Sequence, residues 1–423
     1  MKKLIENISV RFWLVSAIVA MSTLGDALLY ALLPADPGSF GVKVWQVGIL
    51  LGANRFVRLV TNEIAGRLSK RHENKIDRQN KKLFIVSIAG GLITAGYVVQ
   101  WGFLWLLFLR LSWGACWSLL RLEGYISALS TSSPNTRGRI FGFYQSLIRL
   151  GQGGGVFLGG IVADIWNIPT AFIVFSLLTI SIGFFSLSPP AYHFSSPPDN
   201  TDNTDSEDKD SMKFLTSRVC EEPTPGRVRR HDSTKSFLLV LGIFTFALAC
   251  TEQMAANLTG RLVSLRISGF HIGAMGAASI TGFLLSFRAF VIVPLGPLVG
   301  AVMDKYGRMG VIRTVILSQL AAITGLTMFQ SWYSTVVLMI IQLATGITGR
   351  YIVNVVAADL APDKNASLHV SRFTTFLDLG TATGPIIGFA AFASYEMTSI
   401  AVLAWIFLLT AMGMTVYLRN TLP

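Results

Sequence analysis

The chain has 423 residues, of which 52% are hydrophobic and only 14% are charged, whereas about a quarter of an ordinary soluble protein is charged. This composition excludes a typical soluble enzyme, and the length accommodates twelve membrane helices of about 20 residues with short loops. The formal net charge of +12 suits an acidic partner such as nucleic acid, but the basic residues lie mainly beside apolar segments, which favours a role in membrane topology.

Apolar segments follow one another along the chain and are bounded by Pro, Gly and clusters of charge. The first of them is too long for a signal peptide and lacks a small-residue cleavage site, so we expect it to remain as a helix. The pattern predicts an all-α membrane protein with twelve transmembrane helices, at 11–33, 44–66, 82–101, 103–128, 138–163, 169–189, 236–259, 270–300, 311–330, 332–359, 366–394 and 397–418.

One long polar segment interrupts this series and holds nine of the 23 acidic residues. It is too polar to form a core and predicts a flexible linker at 190–235, between a six-helix bundle at 1–189 and another at 236–423. With a cytoplasmic N-terminus, 24 of the 35 basic residues lie on the cytoplasmic side and three on the other. This bias predicts that both termini and the linker are cytoplasmic. The basic run at 227–233 is either the end of the linker or a docking segment.

The two halves of the chain carry an internal repeat. An offset of 228 residues places Ser133-Pro134-Asn135 on Ala361-Pro362-Asp363 and Gly160 on Gly388. At similar offsets Arg55 falls near Arg288, and Arg121 falls near Arg350. Parallel repeats of this kind are one of the plans of secondary transporters.

The segment Gly300-Ala-Val-Met-Asp304-Lys-Tyr-Gly307-Arg308 resembles the loop motif that the major facilitator superfamily carries between helices 8 and 9. The copy in the first half begins at Gly66 and has Lys70 in place of the Asp. Together with the six plus six helices, the resemblance covers nearly the whole chain. It implies the major facilitator fold, alternating access and a role in conformational gating for Gly300, Asp304, Gly307, Arg308 and Gly66.

Three further segments resemble parts of this superfamily. Arg110-Leu-Ser-Trp113-Gly114 is similar to the Arg-x-x-x-Gly motif of proton antiporters, and the glycine-rich segment from Gly151 to Gly160 is similar to a helix 5 motif of exporters. The usual Gly-Pro is absent from that segment and occurs at 384–385 instead. The stretch from Asn54 to Asn62 is similar to bacterial drug and siderophore transporters. The resemblance implies proton coupling and efflux.

Ionisable residues within membrane helices are costly, so they are candidates for proton coupling. Asp26 lies in helix 1 with Tyr30 one turn later on the same face, and Arg110 is its partner by the resemblance. Glu252 lies in helix 7, the counterpart of helix 1 in the second half, and is the second candidate proton carrier. Glu123 either carries a proton or ties helix 4 to a neighbour. The alternative for the Asp26–Arg110 pair is a permanent structural ion pair.

Polar side chains recur at steps of three and four residues on otherwise apolar helices, which predicts a water-filled cavity. Arginines outnumber acids in these stripes, and guanidinium binds carboxylate or phosphate through paired hydrogen bonds. We therefore expect a small anionic or zwitterionic substrate, preferably siderophore-like. The candidate substrate-binding residues are Tyr30, Arg55, Arg58, Arg121, Tyr125, Gln145, Arg149, Gln152, Asn257, Arg288, Arg350, Asn354 and Asp378.

The sequence has no phosphate-binding loop, no nucleophile elbow and no metal-ligand spacing of His or Cys. It therefore predicts no enzyme, cofactor or metal site. The expected partners are the substrate, protons and the lipid bilayer, with no nucleic acid, and the expected state is a monomer in the cytoplasmic membrane. Two alternatives remain open. A multidrug exporter of lipophilic compounds predicts an acidic cavity, and a transport-silent scaffold or sensor predicts purely structural charges.

Overall fold

A computed structural model describes residues 10–70, 76–131, 137–187, 235–267, 276–359 and 366–419. Over these ranges the chain is helical, without strands, and contains two short 3-10 helices, Gly38–Phe40 and Phe185–Leu187. The α-helices are α1 (Val10–Ala35), α2 (Val44–Lys70), α3 (Ile76–Gly96), α4 (Phe103–Thr131), α5 (Arg137–Ile165), α6 (Ile168–Phe184), α7 (Lys235–Ile267), α8 (Ala277–Tyr306), α9 (Arg308–Met328), α10 (Trp332–Asp359) and α11 (Ala366–Arg419).

Helix α11 is continuous over 54 residues, but it contains two predicted membrane passes. Glu396 has a left-handed backbone with φ of 55°, and the Ser399 hydroxyl donates a hydrogen bond of 2.7 Å to the carbonyl oxygen of Ala391. Residues eight apart in a straight helix are separated by about 12 Å. The chain therefore reverses direction near Glu396, between the eleventh and twelfth passes.

Nine segments of the described residues are long and apolar enough to cross a membrane. Three helices that lie at predicted membrane passes, α2, α3 and α8, are not among these nine segments. Helix α2 carries Arg55 and Arg58, which line an internal cavity rather than face lipid. The all-helical architecture confirms the predicted fold class. Of the predicted linker, residues 190–234 lie outside the described residues, and Lys235 is the first residue of α7. The division into domains stays a prediction.

Helices α2 and α11 bring the two halves together where small residues allow close contact between backbones. A Cβ atom on Gly48 would lie 2.5 Å from the carbonyl oxygen of Pro385, and one on Gly52 would lie 2.6 Å from that of Ala382. These contacts leave no room for a side chain. Both glycines lie in the first half of α2, next to the end of α1. We refer to this end of the molecule as the closed end.

Helices α5 and α8 form a second contact between the halves at the closed end. A Cβ atom on Gly160 would lie 2.5 Å from the carbonyl oxygen of Ala278. Nearby, one carboxylate oxygen of Asp164 accepts hydrogen bonds of 2.7 Å from the backbone amides of Gly276 and Ser279. These amides belong to the N-terminal turn of α8, so Asp164 of one half caps a helix of the other.

Candidate functional site

A cavity of about 380 Å³ lies between the two halves. Eight helices contribute to its walls: α1, α2, α4 and α5 from the first half, and α7, α8, α10 and α11 from the second. Because both halves supply side chains, relative motion of the halves changes the shape of the cavity. The predicted site residues that line it are Asp26, Tyr30, Arg55, Arg58, Arg149, Gln152, Asn257, Arg288, Arg350 and Asp378.

Asp26 of α1 forms an ion pair with Arg110 of α4 on the wall of the cavity. Arg110 is fully buried and also donates to the carbonyl oxygen of Leu50 at 3.0 Å and to the hydroxyl of Tyr30 at 2.9 Å. The guanidinium therefore has several fixed acceptors. Asp26 remains 18% exposed and lines the cavity, so the carboxylate is the member of the pair that water can reach.

Glu252 of α7, in the second half, is 4% exposed. Its two carboxylate oxygens form ion pairs with different arginines, one with Arg288 of α8 and the other with Arg350 of α10. Both arginines line the cavity, whereas Glu252 itself does not. The carboxylate thus lies behind two cations that face the cavity.

Arg55 of α2 reaches from the first half to the second. Its guanidinium donates to the carbonyl oxygen of Thr381 at 2.5 Å and to the side-chain oxygen of Gln253 at 2.8 Å. Both acceptors are neutral, so the charge of Arg55 is not compensated by them. The same amide oxygen of Gln253 also accepts from Asn257 one turn later, at 3.3 Å. This chain of hydrogen bonds forms one wall of the cavity.

Arg58 and Arg149 line the cavity without an ion pair or hydrogen bond to any described residue. Arg58 lies within electrostatic range of Asp378 and of Arg55. Arg149 lies within range of Arg350 and Glu252. Over the described residues the walls carry five guanidinium groups and two carboxylates. The cavity is therefore positively charged, and two of its cations can bind a ligand without first losing a partner.

A second polar cluster lies beside the cavity, between α4 and α5. The guanidinium of Arg121 lies 5.3 Å from the centre of the Tyr125 ring, and the Tyr125 hydroxyl accepts from Gln145 at 3.2 Å. These three predicted substrate-binding residues do not line the cavity, and neither does the exposed Asn354. The structure separates them from the ten predicted residues that the cavity brings together.

Glu123 of α4 is 8% exposed and forms an ion pair of 3.2 Å with Lys82 of α3. The carboxylate is not part of the cavity wall. This contact corresponds to the alternative role, in which Glu123 ties α4 to a neighbouring helix. Sequence reasoning did not identify Lys82 because it placed this residue at the start of the third helix, whereas α3 already begins at Ile76.

The predicted gating motif lies at the junction of α8 and α9. Gly307 has a φ of +79°, a conformation that favours glycine, and it alone joins the two helices before Arg308. Gly300 lies within α8 and Gly66 within α2. The side chain of Asp304 and the surroundings of Gly66 and Gly300 are outside the described part of the chain, so the latch itself stays a prediction.

Several residues of the cavity were not among the predicted site residues. They have small or neutral polar side chains, or an aromatic ring. Each lies three or four residues from a predicted site residue, and this helical spacing is the sequence signal for them. These residues are Thr23, Asn54, Trp117, Gln253 and Thr381. Within the described ranges, no group of three or more His, Cys, Asp or Glu side chains is suited to hold a metal ion.

Comparison with known proteins agrees with this architecture. Residues 15–385 match the family model of the Major Facilitator Superfamily. A crystal structure of a bacterial homologue of the human lysosomal transporter Spinster, inward-facing and unoccupied, has a TM-score of 0.69 at 12% identity, covering 97% of this chain and 96% of that chain. The inward-facing, occupied form gives 0.68 at 13% identity, with the same coverage. No curated protein matched the sequence.

The family match covers most of the chain, and it agrees with a central cavity lined by helices of both halves. The structural similarity at this low identity supports the same fold. These findings describe a multi-pass membrane protein that handles a small-molecule substrate. The chain belongs to the Major Facilitator Superfamily and is a membrane transporter of that family.

Proposed function

We propose that this protein is a proton-coupled secondary transporter that moves a small anionic or zwitterionic molecule across the cytoplasmic membrane by alternating access. The observation that carries the proposal is the charge of the cavity, with five guanidinium groups and two carboxylates on its described walls. Every cation on these walls is Arg, the side chain that binds carboxylate and phosphate through paired hydrogen bonds. An anionic substrate is the ligand that these walls favour.

The preferred substrate class is a siderophore-like metabolite with several carboxylates. Cationic side chains line the cavity from both halves, so a molecule with more than one anionic group can contact both halves together. The volume of about 380 Å³ lies within the range of small-molecule sites. A lipophilic cation, the substrate of the multidrug alternative, would instead meet a wall of like charge.

The glycines of α5, which by resemblance indicate export, also have a packing role in the structure. A Cβ atom on Gly151 would lie 2.3 Å from the carbonyl oxygen of Ala20, and one on Gly155 would lie 2.5 Å from that of Leu24. Close contact between α5 and α1 accounts for both glycines without any reference to direction. The experiment described next therefore tests both export and uptake.

The test uses the purified protein in proteoliposomes with an imposed pH gradient of either sign. Ferric citrate represents the carboxylate-rich class, and tetraphenylphosphonium represents the lipophilic cations. We expect ferric citrate to accumulate in a gradient-dependent manner and tetraphenylphosphonium to remain at the level of protein-free liposomes. Gradient-driven movement of the cation alone would favour the multidrug alternative. Movement of neither compound would favour a scaffold or sensor.

Membrane orientation gives a separate prediction, because the basic residues are strongly biased towards one side. Reporter fusions after Lys75, within 199–232 and at Pro423 are expected to show a cytoplasmic location, while a fusion after Ser39 shows the opposite side. The closed end would then face away from the cytoplasm. A linker fusion that reports an external location would contradict both the orientation and the even number of preceding helices.

A further inference from the structure

The contacts of Glu252 suggest how a proton and a substrate influence each other. Its carboxylate is shared between Arg288 and Arg350, one oxygen to each. Both guanidiniums belong to the cavity wall, so they are also the groups that an anionic substrate would contact. The substrate and the Glu252 carboxylate are two anions that need the same cations.

A proton on Glu252 removes this competition. The neutral acid no longer holds the two guanidiniums by charge, and Arg288 and Arg350 become available to oxygens in the cavity. Conversely, an anion that occupies these guanidiniums makes the charged form of Glu252 less favourable. Linkage between two binding events is reciprocal, so each one strengthens the other by the same factor.

The charges that surround Glu252 support this reading. Arg149 of α5 acts on the same carboxylate from the opposite half. Asp378 of α11 acts on Arg350 but is itself exposed to the cavity. Helix α1 contributes Asp26, which is already paired with Arg110. Since three arginines face one buried carboxylate, protonation of Glu252 leaves an excess of positive charge that an anion can neutralise.

Asp26 is also paired with an arginine, but this arginine cannot pass from the carboxylate to a substrate. Its partner Arg110 is fully buried, does not line the cavity and donates to Leu50 and Tyr30 as well. A substrate in the cavity has no access to that guanidinium. Competition between substrate and carboxylate for a shared cation therefore arises at Glu252.

We propose that Glu252 is the proton site coupled to the anion, and that the proton and the anion are carried together as a symport. This inference rests on the proposed function. A cationic substrate would compete with the proton for the carboxylate and give an antiport, so the sign of the coupling follows from the charge of the substrate. Where the proton gradient points into the cell, this coupling drives uptake.

The cycle conserves charge and protons. Water in the cavity supplies a proton to the Glu252 carboxylate, and Arg288 and Arg350 exchange their ion pairs with that carboxylate for contacts with oxygens of the anion. After the halves reorient, the anion leaves, Glu252 releases its proton to water on the other side, and the two ion pairs form again. No bond other than O–H forms or breaks.

The test counts protons taken up as an anion binds to the full-length protein in lipid nanodiscs. Citrate, ferric citrate and inorganic phosphate are titrated by calorimetry near neutral pH, in two buffers of different ionisation enthalpy. We expect the wild type to take up protons on binding. Glu252→Gln should abolish this uptake and bind the anion more tightly, by about 5- to 150-fold, the usual range of coupling between two sites. A purely structural Glu252 would give weaker binding instead.

Glu396→Gln is the matched control, because Glu396 lies at the turn within α11, outside the cavity. It should retain wild-type proton uptake and affinity. If Glu252→Gln does not fold, Glu252→Asp is the second variant. Its shorter side chain reaches both guanidiniums less well, so the affinity for the anion should rise by a smaller factor; unchanged affinity would contradict the proposal.

Anion binding without proton uptake, or with proton release, would overturn the symport alone. Absence of binding by all three anions would overturn the proposed function and the symport with it.

Discussion

Arg149→Gln is expected to lower the affinity for citrate about ten- to a hundred-fold while the melting temperature stays near that of the wild type. Arg149 lines the cavity and forms no ion pair or hydrogen bond with a described residue, so its removal leaves no protein partner unsatisfied. A hydrogen bond to a charged group contributes about 1.5–3 kcal/mol, which corresponds to this loss of affinity. A calorimetric titration and a thermal melt of the same preparation measure both quantities.

Two further variants separate charge from geometry at this position. Arg149→Lys keeps the charge but loses the planar fork, so its affinity should lie between those of the wild type and the glutamine variant. Arg313→Gln is the control, since Arg313 of α9 donates to the Thr415 hydroxyl at 2.8 Å, outside the cavity. It should lower the melting temperature and leave the affinity unchanged. Wild-type affinity in both Arg149 variants would rule out an anion site at this guanidinium.

Gly155→Val and Gly52→Val are expected to fail in different ways, although both glycines touch a neighbouring backbone. A Cβ atom on Gly155 would lie 2.5 Å from the carbonyl oxygen of Leu24 in α1, within the same half. The half must then deform, at a cost of about 1–3 kcal/mol or more. We expect Gly155→Val to lose most of its folded yield, as measured by size-exclusion chromatography and thermal melting.

Gly52 meets Ala382 of the other half, where a Cβ atom would lie 2.6 Å from the carbonyl oxygen. The two halves can relieve this clash by moving apart as rigid bodies. Gly52→Val should therefore fold normally but lose the conformation that is shut at the closed end. Spin labels at Asp36 and Ser331, in a background without the native cysteines, should report a longer distance than in the unmodified chain.

Gly142→Val is the control for both variants, because no atom lies within 4 Å of a Cβ at that helical position. It should match the wild type in yield, in melting temperature and in the spin-label distance. A normal melting temperature for Gly155→Val, or an unchanged distance for Gly52→Val, would mean that the backbone contacts are looser than the structure indicates.

The helices were predictable because lipid requires long apolar segments, and their observed bounds differ from the prediction by only a few residues in most cases. The cavity was also predictable in outline. Charged side chains on apolar helices are placed away from lipid, so the stripes that contain Arg55, Arg58 and Arg149 were expected to face inward. Each of these residues does line the cavity.

The pairing of the charges could not be predicted from the sequence. The internal repeat places Arg121 and Arg350 at equivalent depths, but Arg350 binds Glu252 while Arg121 lies over the Tyr125 ring. Equivalent backbones do not require equivalent side-chain directions, because each rotamer depends on the local neighbours. Asp164 was missed for a related reason: the fifth helix was predicted to end one residue before it, so its carboxylate was treated as part of a loop.

The bond from Asp164 to the first turn of α8 has a consequence for the resting state of the empty carrier. When the halves part at this end, the amides of Gly276 and Ser279 exchange a carboxylate for water. An N-terminal cap contributes about 0.5–2 kcal/mol to a helix, which corresponds to roughly a two- to thirty-fold bias in population. This cap between the halves therefore favours, by that factor, the conformation of the unloaded protein that is shut at the closed end.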